Sequence, residues 1–240
     1  MTTFFTTLSP DWNIPNIKAY TVLAKGLDSS IVSFSHQNLF SIECRQKLEE
    51  LVKPTYPINW LWQVHGNRIV ELPVQSDVLI EADGGYTTNK RTVCAVITAD
   101  CLPIVFSNQS GTQVGVVHAG RKGLQKDIIL EMIKTFKDSI EEINVWLGPG
   151  IAAGSYPVSS EIREEVLAIS LAYEKVFTKV EDGHYLMDLY EVAKMQLLSQ
   201  GILKSRISGA EWNTFTDMRF HSARRDKDLS GRMATVVWIE

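Results

Sequence analysis

Three short segments of this chain hold residue types that bind metals and carry group transfer: Gln63-Val-His-Gly66, Thr98-Ala-Asp-Cys-Leu-Pro103 and Val117-His-Ala-Gly120. Each sets one soft or borderline ligand, His65, Cys101 or His118, at the end of an apolar stretch. Strand ends that border loops are where rigid scaffolds present chemistry. Two imidazoles and one thiolate suit zinc. Three protein ligands leave a fourth position open for water or substrate, the arrangement of a catalytic site. The three residues are far apart in the chain, so no compact finger-type ligand box is present. The spacing alone equally fits two satisfied, partly buried histidines and a structural cysteine.

Other groups stand beside these segments. Asp83 and Asp100 are candidate acid/base residues, or carboxylates that orient a metal-bound histidine and fix its tautomer. Arg121 and Lys122 follow His118 in a glycine loop, and Arg224, Arg225 and Lys227 form a second basic group in FHSARRDKDLSGR. Guanidinium forks match phosphate and carboxylate geometry. The plainer reading of the second group is a solvated loop balanced by Asp226 and Asp228.

The elements that must position these residues are clearest in the middle of the chain. Thr92 to Thr98 is rich in β-branched residues and predicts a buried strand, resumed from Leu102 to Phe106 after Ala99-Asp100-Cys101. A turn is expected over Asn108 to Gly111, then a strand from Val114 to His118. Leu124, Ile128, Met132 and Phe136 recur every fourth residue and predict one helix with a buried stripe. Ile143 to Leu147 is a further strand, closed by Gly148-Pro149-Gly150. Helices are expected from Glu161 to about Tyr173 and from Leu189 to Gln200. The latter has Asp188 as N-cap, Glu191 three residues later, and Gly201 as its stop. Met233 to Ile239 is the last strand. Strands and helices mix without strict alternation, which predicts an α+β layered domain with sheets inside and helices outside.

The chain has 240 residues, 45% hydrophobic and 22% charged, which suits one globular domain over residues 1–240. No repeat, low-complexity tract or linker divides it. Net charge is −4, so there is no general attraction to nucleic acid or anionic membrane. No stretch reads as a signal peptide or a membrane span. Three cysteines, Cys44, Cys94 and Cys101, fit a reducing, cytoplasmic compartment better than a disulfide framework. Cys44 and Cys94 read as small buried hydrophobes. Oligomeric state is not legible in the sequence.

Taken together, the segments QVHG (63–66), ADGGYTT (82–88), TADCLPIVF (98–106), VGVVHAGRKG (114–123), LGPGI (147–151), MDLY (187–190) and SARRDKDLSGRMATVVW (222–238) resemble the YfiH-type family, also called laccase-domain or polyphenol-oxidase-like. The resemblance runs from about Trp60 to the C-terminus. It implies a layered α+β fold and zinc at His65, Cys101 and His118, with copper as the alternative metal. It also implies purine nucleoside phosphorylase activity on adenosine, inosine and methylthioadenosine, with adenosine deaminase activity beside it. Its partners would be a purine nucleoside and phosphate. Other activities attached to the family are copper-dependent phenol oxidation and hydrolytic editing of peptidoglycan precursors, the latter with Cys101 as nucleophile. The chain departs from the family pattern in several places. The usual His-Ala-Gly-Trp-Arg-Gly is His118-Ala-Gly-Arg-Lys-Gly123 here. An N-terminal Thr-Arg-x-Gly-Gly loop corresponds to Thr21-Val-Leu-Ala-Lys-Gly26, a later cysteine to Asn213, and an aromatic residue to Ala223.

In phosphorolysis, phosphate attacks the ribose anomeric carbon and the purine departs. Arg224, Arg225, Lys122 and Lys25 are the candidate phosphate ligands, and Cys101, His118, Asp83 and Asp100 the candidate catalytic groups. Metal-assisted deamination would use the same trio. A multicopper laccase site would need many imidazoles, and the chain has five histidines. A fourth reading is a binding protein that keeps the metal for stability.

Overall fold

The computed structural model describes residues 5–26, 33–34, 39–52, 56–76 and 78–240, without the side chains of Phe5, Lys25, Leu39, Phe40, Ser41 and Leu51. Two sheets form its centre. The first runs in the order β1 (Phe5–Leu8), β2 (Ile17–Gly26), β16 (Met233–Ile239), β8 (Val93–Thr98), β3 (Ile58–Asn59). The second runs β15 (Ile207–Gly209), β11 (Ile143–Leu147), β9 (Leu102–Asn108), β10 (Val114–Ala119), β7 (Gly84–Thr87), β5 (Ile69–Glu71). Pairing is antiparallel except for β3 with β8, β11 with β15 and β5 with β7. A small sheet of β12 (Pro157–Ser159), β14 (His184–Met187) and β13 (Phe177–Glu181) and a parallel pair, β4 (Leu61–Trp62) with β6 (Ile80–Glu81), complete the strands among the described residues.

The pleat explains how the layers stack. Alternate residues of a strand face opposite sides, and both faces of each central sheet are covered. Cys94 and Val96 of β8 meet Val105, Val114 and Val116 of the second sheet in a core between the sheets. Val93 and Ala95 face the other way, onto Cys44, Leu48 and Val52 of helix α1 (Leu39–Val52). Ile104 and Phe106 of β9 face an outer layer built from α2 (Arg121–Gln125), α3 (Ile128–Ile133), α4 (Ser160–Ile169) and α5 (Leu189–Ser199). A short α6 (Ala223–Asp226) precedes β16. The result is the expected α+β layering, sheets inside and helices outside. Cys44 and Cys94 are buried and free.

Two helices differ from expectation. The stripe of Leu124, Ile128, Met132 and Phe136 is buried, but the chain breaks at Asp127, whose φ of 59° is left-handed. Two short helices therefore replace one, and Phe136 lies beyond the second. The helix expected to reach Tyr173 stops at Ile169. Ser170 is extended there, and its hydroxyl accepts from the Ala172 amide to start a 3₁₀ turn over Leu171–Val176. The Asp188 cap is present, accepting from the Glu191 amide at 3.0 Å, and Gly201 has the left-handed φ of 96° that ends α5. No helix among the described residues is long and apolar enough to cross a membrane.

Candidate metal centre

His118 lies one residue from the end of β10, and Cys101 immediately before β9. Because β9 and β10 are antiparallel neighbours, with His118 opposite Pro103, these two groups are carried by adjacent strand ends. His65 comes from the turn after β4, with φ 59°. That turn is held from two sides. The Gln63 side-chain amide pairs with the Ile97 backbone through both its nitrogen and its oxygen, each at 2.8 Å. The Asp83 carboxylate accepts from the amides of Val64, His65 and Gly66 at 3.2, 2.9 and 2.6 Å. The same carboxylate meets His118 Nδ1 at 2.8 Å, which leaves Nε2 as the free ring atom. Asp83 thus fixes one histidine's ring and the other's backbone.

The ligand atoms of His65, Cys101 and His118 all lie within 4.8 Å of one another, and the two rings meet edge to face at 4.7 Å between centroids. Gly120 fills the remaining space: a Cβ there would sit 2.7 Å from Cys101 Sγ and 3.2 Å from His65 Cδ2. The donor set, the closeness of the three atoms and a carboxylate behind a histidine are what a zinc site needs. One ion fits. This is the one such cluster among the described residues. His184 is exposed and His221 is buried against Gly231, and His36 lies outside the described residues.

Charge within the trio is already arranged for ligation. Burial pushes the Cys101 thiol up, but His118 and then His65 outweigh it and lower its pKa to about 6. Burial pushes His118 down, and the thiolate and Asp83 reverse this and raise it to about 9. Burial also pushes Asp83 up, and its hydrogen bonds from His118, Gly66 and Val64 hold it below the ordinary carboxylate range.

The trio opens into a cleft of about 690 Å³, a size that suits a small-molecule ligand. Trp62, Ile97 and Ile151 supply apolar wall, while Arg224, Lys227 and Arg232 supply cations. Tyr156 stands between, with the Arg224 guanidinium 5.2 Å from its ring centre. Burial raises the Tyr156 hydroxyl and Cys101 adds to this, against Arg121 and Arg224. Asp100 also borders the cleft, but both its oxygens are engaged. Oδ1 accepts from Thr214 Oγ1 at 2.6 Å and Oδ2 from the Arg224 amide at 2.7 Å.

The basic residues expected to hold phosphate divide. Arg224 lines the cleft. Arg225 spends its donors on the carbonyls of Thr214, Phe215 and Phe220 and on both oxygens of Asp226, so its fork ties the loop together and has nothing left for a ligand. Lys122 is exposed on α2 and is not part of the cleft wall. Lys25 belongs to the end of β2, and its side chain lies outside the described residues. Trp62, Tyr156 and Arg232 were not singled out by the sequence. Arg232 follows the basic motif closely enough to have been a candidate.

The family described as multi-copper polyphenol oxidoreductase laccase matches residues 41–240. A purine nucleoside phosphorylase of Haemophilus influenzae is 34% identical over 97% of this chain and 99% of its own length. The YfiH purine nucleoside phosphorylase of Shigella flexneri is 39% identical over 78% of this chain and 75% of its own. A crystal structure of a Neisseria meningitidis protein superposes with TM-score 0.88 at 26% identity, covering 98% of this chain and 99% of that one. The matched residues include all three members of the trio and the whole basic segment, and this chain belongs to the YfiH-type, laccase-like family.

Proposed function

We propose that this chain is a zinc-dependent purine nucleoside phosphorylase that converts adenosine, inosine or methylthioadenosine to the free base and ribose 1-phosphate. One observation carries the reading: the His65–Cys101–His118 trio and three cations share one cleft in a chain of net charge −4. Among the described residues, neither the Arg224 guanidinium nor Lys227 has an acidic partner, and the Arg232 guanidinium bonds the carbonyls of Ser230 and Gly231 through one nitrogen. Such cations attract an anionic reactant into a site otherwise walled by apolar side chains. The names of the relatives support the same chemistry.

Arg224, with Lys227 and Arg232, would bind and orient phosphate against the anomeric carbon. Asp83 holds His118 and the His65 turn in place, and Asp100 holds the α6 amide end beside the cleft. A zinc ion on the trio would supply Lewis-acid polarisation. Tyr156, kept neutral by burial, is placed to donate a hydrogen bond to a departing group. Deamination of adenosine in the same cleft is the second reading, because the trio leaves a coordination position open. Multicopper phenol oxidation lacks ligands for further ions among the described residues.

The test is chromatographic product analysis with adenosine, with and without phosphate. Phosphate-dependent adenine and ribose 1-phosphate support phosphorolysis. Inosine formed without phosphate supports deamination. Intact adenosine at high concentrations of metal-loaded protein removes both.

A further inference from the structure

Six non-glycine residues have a positive φ among the described residues, and three of them border the cleft: His65 at 59°, Asp100 at 88° and Lys227 at 51°. The Asp83 clamp on its turn accounts for His65, and the bonds to both carboxylate oxygens account for Asp100. Lys227 has no such account, since among the described residues its side chain makes no hydrogen bond or ion pair. Its ψ of −127° takes it out of the left-handed region that Asn, Asp and His tolerate. Glycine adopts that conformation at little cost, and a residue with a Cβ does not.

The neighbouring bonds hold Lys227 in this conformation. On one side, Arg225 grips both oxygens of Asp226 at 2.7 Å and ties the loop to the carbonyls of Thr214, Phe215 and Phe220. The Lys227 amide itself donates to the Ala223 carbonyl and closes α6. On the other side, the Lys227 carbonyl accepts from the Ser230 amide at 3.1 Å, and an Arg232 nitrogen donates to the carbonyls of Ser230 and Gly231. Backbone strain persists only where the surroundings over-determine it, and it collects at functional sites. Here it sets an ammonium on the wall of a cleft that Arg224 and Arg232 also line. The same wall carries Thr98, which is 1% exposed and whose hydroxyl has no hydrogen-bond partner. Thr98 lies opposite Met233 on β16, the residue after Arg232. A buried hydroxyl left unpaired calls for a polar group from a ligand.

We propose that Lys227 is the specificity-determining residue that selects a tetrahedral oxyanion, inorganic phosphate, as the second reactant, and that the strained turn is what presents its ammonium to that anion. The inference rests on the phosphorolysis reading above and narrows it to one residue. Arg224 lies against the Tyr156 ring and Arg232 is engaged with two carbonyls. Lys227 offers a compact charge with three donors and no competing partner among the described residues. Three substitutions separate charge from strain. Glycine removes both, alanine removes the charge and keeps the strain, and arginine keeps both. A lysine that is merely solvated would change stability in the glycine variant and leave anion binding alone.

The experiment uses the full-length, zinc-loaded chain and its Lys227→Gly, Lys227→Ala and Lys227→Arg variants, with zinc content as a check of the site. Lys122→Ala removes the same charge away from the cleft wall and serves as control. Calorimetry at constant ionic strength measures binding of orthophosphate and of adenosine, and thermal melts without phosphate measure stability. K227G and K227A are expected to weaken orthophosphate binding about tenfold or more, K227R to stay within about threefold of wild type, and K122A to leave it unchanged. Adenosine affinity should hold in all four. K227G should melt about 2–4 °C above wild type, and K227A no higher than wild type. Orthophosphate affinity in K227G within about twofold of wild type overturns the proposal, as does an equal loss in K122A, which would reduce the effect to net charge. K227G melting no higher than K227A removes the strained turn from the proposal. Wild type that binds orthophosphate through Lys227 but leaves adenosine intact keeps the oxyanion site and removes phosphorolysis. Wild type that releases adenine with an unchanged KM for phosphate in K227G keeps phosphorolysis and removes Lys227. Wild type that neither binds orthophosphate nor uses it removes both.

Discussion

Asp83 shows how one buried carboxylate serves two candidate ligands. It accepts from three backbone amides and from His118 Nδ1. Asparagine keeps its shape but turns an NH₂ toward donors whichever way it lies. Asp83→Asn is expected to weaken zinc binding about 10–100-fold, read by chelator competition. It should also destabilise the metal-free protein by about 1–3 kcal/mol, and zinc affinity within a few-fold of wild type would deny the carboxylate its orienting role. Gly120→Ala tests the same centre from the open side. The φ of −79° at Gly120 admits alanine, so any loss comes from the new methyl against Cys101 and His65, on the order of tenfold in zinc affinity. The two neighbouring arginines should separate cleanly. Arg224→Ala is expected to raise the KM for phosphate with little change in melting temperature, while Arg225→Ala should lower the melting temperature by freeing the carbonyls it ties. The trio was legible because Cys and His stand out at the ends of apolar runs. Trp62 and Tyr156 were not, because an aromatic residue in a sequence reads as core until the fold brings distant segments together around a cleft.

Elements that are apolar on both faces were the easiest to read. The strands at Ile143–Leu147 and Met233–Ile239 have the bounds their β-branched runs suggest, since both sheet faces are covered and no polar alternation interrupts them. The expected reading begins only at Thr92, and β1, β2 and α1 precede it. Among the described side chains of α1 the buried ones are Cys44, Leu48 and Val52, set among charged neighbours, which gives little periodic signal. The break at Asp127 had no signal either, because two short helices can bury the same stripe as one. The strand-ending Gly148-Pro149-Gly150 is locked from α5. Tyr190 Oη accepts from the Gly150 amide at 2.7 Å and donates to the Gly148 carbonyl at 3.0 Å. The turn then supports the site, since the Ile151 amide donates to the Asp100 carbonyl and the Thr214 amide to that of Gly150. Tyr190→Phe leaves a buried amide unpaired and should cost about 1–3 kcal/mol in urea unfolding. A change under about 0.5 kcal/mol would mean that the turn finds another partner.

At the scale of the whole molecule, folding, metal and protons are linked. A metal held by the trio would join three segments, one from the β4 turn, one before β9 and one from β10, so an ion that binds only the folded chain would stabilise all of it by mass action. Melting temperature should therefore climb with free zinc and fall on chelation. A melting temperature indifferent to zinc would mean that the trio does not hold it. Acid acts through Asp83. Its folded pKa is below the ordinary value of about 3.9, so its contribution is present above that value and is lost as pH falls through the folded one. Metal-free wild type should lose unfolding free energy between about pH 5 and pH 3 more steeply than D83N. Zinc binding has its own proton signature. With Cys101 lowered to about 6 and His118 raised to about 9, the metal-free pair at pH 7.5 is thiolate and imidazolium. Ligation displaces the imidazolium proton, and the thiolate has none to give. Calorimetric titration with zinc in buffers of different ionisation enthalpy should thus report release of about one proton at pH 7.5, with affinity falling steadily on acidification. No proton release at pH 7.5 would mean that His118 is already neutral in the metal-free protein, and release of two would mean that Cys101 is still a thiol.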